Sequence, residues 1–194
     1  MDPPLRVFVA IATPEPVRHE LQRVQRELAP LAPPGVIRWI MPEQFHLTLK
    51  FLGNVPAERA AALKETLRPA CSEHPALRLR AQGVGFFPNA ASPRVIWAGV
   101  NDSAGQLLRF QGRIEAALRD FSGDPGGNPF AGHLTLGRFK RFSPRQIAAF
   151  MARAQAMNNR PFGEWTADAV ELVRSELSPA GARHALLARF ALGQ

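Results

Sequence analysis

The stretch FHLTLKFLG at residues 45–53 contains the tetrapeptide HLTL, which returns in the second half of the chain at residues 133–136. In both copies polar and apolar residues alternate strictly. On a β-strand, this alternation puts the histidine and the threonine on one face and the two leucines on the other. We therefore predict two related strands, each with an apolar face for packing and a polar face that carries reactive side chains.

The sequence around the two copies alternates between strand-like and helix-like segments. Residues 5–12 are apolar and β-branched, and the next segment repeats apolar residues every three or four positions up to Leu28, as an amphipathic helix does. Other strand-like segments come in pairs joined by short connections, such as 77–87 and 94–100. Because short turns join antiparallel strands, we predict an α+β fold of antiparallel sheets flanked by helices.

The C-terminal third of the chain opens with a Gly- and Pro-rich run at residues 122–129, which predicts a loop. After the second HLTL, the pattern predicts a helix over 144–156. One strand over 166–177 and a last strand over 185–192 are expected to complete the chain.

Length and composition limit the function classes. A chain of 194 residues predicts a single domain over 1–194, and a net charge of +8 predicts a polyanionic partner such as RNA. The one cysteine, Cys71, cannot form an internal disulfide, which favours a reducing compartment. The first residues do not read as a signal peptide or a membrane span, so we expect a cytoplasmic protein without membrane association. We also expect a monomer.

Two imidazoles and two hydroxyls on facing strands suit acid–base chemistry at a phosphate. Histidine titrates near neutrality, so His46 and His133 can act as a general base and a general acid at the same pH. The hydroxyls of Thr48 and Thr135 can donate hydrogen bonds to phosphate oxygens. The alternative is that both histidines are only the polar side of a half-buried strand. A metal site would normally add a carboxylate or a third histidine, so we predict none.

These motifs resemble the 2H phosphoesterase superfamily. The start LRVFVAI at residues 5–11 and the late ELVRSEL at 171–177 extend the resemblance to RNA 2',3'-cyclic phosphodiesterases, historically called 2'-5' RNA ligases. Nearly the whole chain is covered, with a departure at His184, where relatives often have tyrosine. The resemblance implies a bilobal, pseudo-twofold fold in which two similar lobes each bring one H-x-T strand to a central basic cleft.

The resemblance also implies an activity. It implies metal-independent and cofactor-free hydrolysis of RNA 2',3'-cyclic phosphate ends to 2'-phosphomonoesters, with the same chemistry joining or cleaving 2'-5' linkages in reverse. The implied substrates are RNA ends, including tRNA fragments, or cyclic nucleotides. The alternative is a non-catalytic module of the same fold that binds phosphorylated RNA ends or nucleotides.

By the same resemblance, His133 would activate the attacking water and His46 would protonate the departing ribose O3'. Spacing alone does not distinguish the base from the acid. Thr48 and Thr135 would hold phosphate oxygens, and Arg138 would touch the phosphate. Because simple alternation places that arginine on the leucine face, we predict a bulge at the preceding glycine that turns it toward the cleft.

Two further residues are candidates for RNA contact. Lys50 shares the parity of the first motif's histidine, so it can reach a phosphate at the cleft rim, although an exposed lysine at a strand end is the alternative. Trp39 can stack on a terminal base, but we favour a core position for it. Since Arg38 precedes Trp39, regular alternation allows at most one of these two to line the cleft.

Overall fold

The computed structural model describes residues 3–122, 129–178 and 181–193. Within these residues nine β-strands and four α-helices follow one another, connected in places by short 3₁₀ turns. The strands are β1 (Leu5–Ala12), β2 (Ile37–Trp39), β3 (His46–Val55), β4 (Leu77–Phe87), β5 (Val95–Asn101), β6 (His133–Phe139), β7 (Pro161–Ala167), β8 (Ala169–Ser178) and β9 (Gly181–Ala191). The helices are α1 (Glu15–Leu28), α2 (Ala60–Ser72), α3 (Gln106–Ala117) and α4 (Ala148–Gln155).

The strands form one antiparallel sheet in the order β7-β4-β5-β6-β3-β1-β8-β9, with β2 paired to the end of β6. This order divides into two halves of four strands that meet where β6 lies beside β3. A single residue pair, Leu47 with Leu134, joins the halves within the described part of the chain. The predicted α+β class with antiparallel strands flanked by helices is confirmed, and the two predicted sheets are joined along this seam. The two HLTL strands therefore lie side by side at the centre of the molecule.

The helices cover the apolar side of the sheet. The predicted stripe of α1 is buried along its whole length, from Val17 to Leu28, and the helix packs against β7. Helix α2 packs against β9, and α3 packs against β3. The leucines of both HLTL motifs belong to the same core, which fixes the orientation of the opposite, polar face of each motif.

The segment predicted as one strand over 166–177 is two strands that turn a corner at Asp168. β7 pairs with β4 in one half of the sheet, whereas β8 pairs with β1 in the other. The backbone N–H of Leu192 donates to the carbonyl oxygen of Asp168 at this corner. The sequence pattern did not predict β7 as a separate strand, because Gly163, at a φ of 127°, interrupts the alternation of polar and apolar residues along it. In the predicted loop over 122–129, residues 123–128 lie outside the described part of the chain.

Equivalent β-bulges interrupt both motif strands. Val9 pairs with Lys50 and Ala10 with Thr48, which leaves Leu49 as the extra residue of β3. In β6 the extra residue is the last leucine of the second motif, because the pairing with β5 passes from residue 135 directly to residue 137. A bulge shifts the alternation of a strand by one position. The residues five positions after each motif histidine are therefore turned to the polar face.

Candidate active site

His46 and His133 stand at the first positions of β3 and β6, and the backbone holds their rings in the same way. The Nδ1–H of His46 donates to the carbonyl oxygen of Gln44, with 2.7 Å between the atoms. The Nδ1–H of His133 donates to the carbonyl oxygen of Ala131, also at 2.7 Å. Because a carbonyl oxygen only accepts, each Nδ1 carries a hydrogen, and each neutral ring has its lone pair on Nε2.

Both rings line one cavity of about 630 Å³, which lies within the usual range for a ligand site. Its basic side chains come from five strands and are Arg6, Arg38, Arg138, His46, His133 and His184. Its apolar wall includes Phe8, Trp39, Ile40, Met41 and Phe51. A cationic cavity with an aromatic wall can hold the phosphate and the base of a nucleotide.

Aromatic packing removes His46 from water. Phe8 stacks on the His46 ring with centroids 4.7 Å apart, and His184 lies edge-on at 5.3 Å. Burial lowers the pKa of His46 to about 4, against the opposing effect of the bond to Gln44, and the charges of His184 and His133 lower that pKa further. The ring is therefore neutral at pH 7 in the free protein.

The second histidine has a matching environment. Phe87 lies edge-on to His133 with ring centroids 4.9 Å apart, and Trp97 lies 6.3 Å away. Burial lowers the pKa of His133, the bond to Ala131 opposes this, and the charge of Arg138 adds to the lowering. Both motif histidines are thus neutral and in the same tautomer.

Three arginines give the cavity its charge. Arg38 and Arg138 are direct partners on the antiparallel strands β2 and β6, and Arg6 reaches the cavity from β1. Burial lowers the pKa of Arg138, and the charges of Arg38 and Arg6 lower that pKa further. Within the described residues, no carboxylate pairs with any of the three. The expected bulge is present one residue before Gly137, and it turns Arg138 into the cavity.

The threonines differ in position. Thr135 lines the cavity. Thr48 is half-buried beside His46 on the same strand but is not part of the cavity wall. The structure thus brings His46, His133, Thr135 and Arg138 around one space and leaves Thr48 at its margin.

Trp39 has two environments at once. It packs on Phe150 with ring centroids 6.3 Å apart, and it also lines the cavity. The expectation that at most one of Arg38 and Trp39 lines the cleft is wrong, because β2 is only three residues long and ends at Trp39. Regular alternation does not hold at a strand end.

Lys50 lies away from the cavity. Its side chain is only 4% exposed and forms an ion pair with Glu115 on α3. The bulge at Leu49 explains this position, since it moves Lys50 to the leucine face and brings Phe51 to the cavity instead. The suggested RNA contact of Lys50 therefore does not fit the structure.

Sequence reasoning missed several cavity residues, among them His184, Arg6 and Phe8. His184 stands on β9 opposite Ser175, and its only sequence signal was its departure from the tyrosine of relatives. Arg6 and Phe8 share parity on β1, which could have marked them as one face of that strand.

Within the described residues, no group of three or more His, Cys, Asp or Glu side chains is placed to hold a metal ion. None of the described helices combines the length and apolarity needed to cross a bilayer.

Comparison with known proteins gives consistent results. The family described as LigT like Phosphoesterase matches residues 11–97 and 99–184. An RNA 2',3'-cyclic phosphodiesterase of Thermus thermophilus is 35% identical over 97% of this chain and 90% of its own length. A crystal structure of a Thermus thermophilus protein superposes with a TM-score of 0.80 at 32% identity, covering 97% of this chain and 99% of that one. The crystal structure of E. coli LigT complexed with 3'-AMP superposes with a TM-score of 0.76 at 25% identity, covering 98% and 99%.

Proposed function

The chain belongs to the LigT-like phosphoesterase family, and on that premise we propose that it hydrolyses 2',3'-cyclic phosphate ends of RNA to 2'-phosphomonoesters. The observation that carries the proposal is the matched pair His46 and His133. Each ring is fixed by a backbone carbonyl and presents Nε2 to one cationic cavity. With two imidazoles so arranged, one can accept a proton and the other can donate a proton on opposite sides of one phosphorus atom.

In the proposed reaction, Nε2 of His133 takes a proton from water as the water oxygen bonds to phosphorus. The bond between phosphorus and ribose O3' breaks, and Nε2–H of His46 gives its proton to that oxygen. The assignment of base and acid follows the family resemblance, because the two hydrogen bonds to Gln44 and Ala131 are alike. Proton exchange with solvent then restores both rings.

The low pKa of His46 is compatible with an acid that is charged only when substrate is bound. In the free protein burial favours the neutral ring. A phosphate anion beside the ring favours the imidazolium by direct attraction, which raises its pKa. We therefore expect His46 to take up its proton together with the substrate.

The phosphate oxygens need donors as charge develops on them. We propose that Arg138 and the hydroxyl of Thr135 supply these donors from the cavity wall. Thr48 shares the strand face of His46, and we assign it the equivalent contact on the other side. With a ribose 5'-hydroxyl in place of water, the same groups would form a 2'-5' linkage: O5' bonds to phosphorus, the bond between phosphorus and O3' breaks, and O3' takes a proton from His46.

The decisive assay uses an oligoribonucleotide that ends in a 2',3'-cyclic phosphate, with the product identified as the 2'- or 3'-monoester. We expect the 2'-monoester. His46→Gln and His133→Gln should each reduce turnover about 10²- to 10⁴-fold while RNA affinity changes little. His19→Gln is the matched control, because His19 is exposed on α1 outside the cavity.

The same assay tests the binding-module alternative. A protein that binds the strand end but releases it unchanged would support that alternative. Equal turnover in wild type and both histidine variants would contradict the proposed acid–base pair.

For the cellular setting, we propose that the protein acts as a monomer in the cytoplasm on RNA fragments, including those of tRNA. The charge of +8 and the unpaired Cys71 support this setting. Light scattering coupled to size-exclusion chromatography tests the monomer, for which the expected mass is 21.3 kDa.

A further inference from the structure

We propose that Arg6 and Arg38 form a second phosphate subsite, which binds the phosphate on the 5' side of the terminal nucleotide. This inference rests on the proposed function, and it specifies the substrate class: an RNA strand end, in preference to an isolated cyclic nucleotide. The reacting phosphate bridges O2' and O3' of the last ribose. The next phosphate along the strand is attached to the 5' oxygen of that same ribose.

Charge balance is the first reason. A 2',3'-cyclic phosphate carries one negative charge, and the proposed donor Arg138 already supplies one positive charge. Arg6 and Arg38 add two further positive charges to the same cavity. The positive charge of Arg138 already balances the single negative charge of the cyclic phosphate before reaction. A second phosphate would balance the charges of Arg6 and Arg38.

The lack of carboxylate partners is the second reason. Some surface arginines outside the cavity are paired with carboxylates, as Arg80 is with Glu164 and Arg189 with Asp168. Within the described residues, Arg6 and Arg38 have no such partner. Like charges directly opposite each other on paired strands are destabilising, and Arg38 stands directly opposite Arg138. A bound polyanion would relieve this repulsion.

The third reason is the placement of apolar side chains between the charges. Phe8 follows Arg6 by two positions on β1, and Trp39 follows Arg38 on β2, and all four line the cavity. Met41 and Phe51 are 62% and 58% exposed at the same cavity, although they are large and apolar. Guanidinium groups beside exposed apolar surface are the features that bind a nucleotide strand.

A competing explanation is that Arg6 and Arg38 serve the product, whose phosphomonoester carries up to two negative charges. In that case they would act on the reacting phosphate itself. The two explanations differ for a substrate that has a single phosphate. Only the competing explanation requires the two arginines for such a substrate.

The experiment compares three substrates: adenosine 2',3'-cyclic phosphate, its 5'-phosphorylated form, and the adenosine dinucleotide ending in the cyclic phosphate. In the wild type we expect the added 5'-phosphate to raise kcat/KM about 10- to 100-fold, as for a charge-assisted contact. Arg6→Gln/Arg38→Gln should remove that gain, so that kcat/KM in this variant is the same for the mononucleotide with and without the 5'-phosphate. Arg78→Gln/Arg145→Gln loses the same charge outside the cavity and should keep the gain.

Three results would overturn the proposal. One is a wild type that gains nothing from the 5'-phosphate, and another is a gain that needs the second nucleoside. The third is a double variant that loses activity equally on all substrates, as the competing explanation requires.

Binding measurements separate this proposal from the proposed function. Calorimetry would compare adenosine 3',5'-bisphosphate with 3'-AMP in both double variants and the wild type. Tighter binding of the bisphosphate that depends on Arg6 and Arg38 supports the subsite even if none of the three substrates is hydrolysed. Equal binding of the two ligands by the wild type would contradict the subsite.

Discussion

Phe8 lies almost flat against the imidazole of His46, with the ring planes inclined by 26°. Phe8 is itself only 2% exposed, so one face of the imidazole is shielded from water. His184 covers the same ring edge-on, with an interplanar angle of 75°. Both neighbours contribute to the burial of this ring, and burial is the largest cause of the low pKa of His46.

We predict that His184→Gln raises the pKa of His46. The substitution removes part of the shielding, and it removes the positive charge that His184 carries when protonated, and both effects act in the same direction. NMR titration of the ring nitrogens measures this pKa directly. His19→Gln should leave the value at about 4, whereas an unchanged or lower pKa in His184→Gln would exclude His184 as a cause.

We predict that the free energy of unfolding falls as the pH drops from about 6.5 to about 4. A histidine whose pKa is lower in the folded state binds its proton first in the unfolded chain, so acid favours unfolding over this window. For His46 the loss is on the order of 3 kcal/mol at most. Urea unfolding at pH 7 and pH 4.5 measures it. His46→Gln should show a smaller loss than the wild type, and an equal loss would contradict the origin in His46.

We predict that Gly137→Ala destabilises the protein by about 1–3 kcal/mol. An added Cβ at Gly137 would lie 2.8 Å from Cγ2 of Ile37 and 3.1 Å from Cε3 of Trp39, so these two side chains of β2 have to shift. Arg138 should then lose its position, and turnover of a cyclic phosphate end should fall with stability. Thermal unfolding and the hydrolysis assay check both effects.

The control is Gly112→Ala on the exposed side of α3. An added Cβ there meets nothing within 4 Å, and alanine favours a helix interior by roughly 0.5–1 kcal/mol. The control should therefore gain stability and keep its activity. A Gly137→Ala variant that behaves like this control would show that β2 tolerates the added methyl group.

We predict that Lys50 acts in folding and not in RNA binding. Glu115→Gln leaves a buried ammonium without its partner and should lower stability by about 1–3 kcal/mol, because Glu115 is 40% exposed and water compensates in part. Lys50→Met keeps the apolar stem and should cost less than about 1 kcal/mol. Both variants should hydrolyse cyclic phosphate ends at the wild-type rate. A tenfold loss of kcat/KM in Lys50→Met would restore Lys50 as a substrate contact.

The sequence was sufficient for the elements whose pattern is local. The stripe of α1 and the alternation of both HLTL motifs depend on spacing alone, and the structure has the helix and the two strands. The bulge before Arg138 was also predictable. The family resemblance implies a phosphate contact for Arg138, regular alternation would point it away from the cleft, and the preceding Gly137 permits a bulge. The matching bulge at Leu49 has no such signal, so regular alternation predicts the wrong face for Lys50.

The remaining site residues depend on contacts between distant segments. His184 comes from β9 and His46 from β3, and the sheet order places β8 and β1 between these two strands. The two rings meet because their side chains converge above the intervening strands. Arg6 is likewise brought to the cavity by the order of the strands. The order of the strands in the sheet brings these side chains together, and no local sequence pattern predicts that order.

Among the residues that the structure describes, one residue pair, Leu47 with Leu134, forms the ladder between the two halves of the sheet. A ladder this short supplies few backbone hydrogen bonds, so the packing of the two leucines contributes to holding the two motif strands side by side. Both leucines are fully buried at 0% exposure. We expect a change in the volume of either leucine to alter the distance between the two motif strands, and therefore between the imidazoles of His46 and His133, with every polar side chain of the site unchanged.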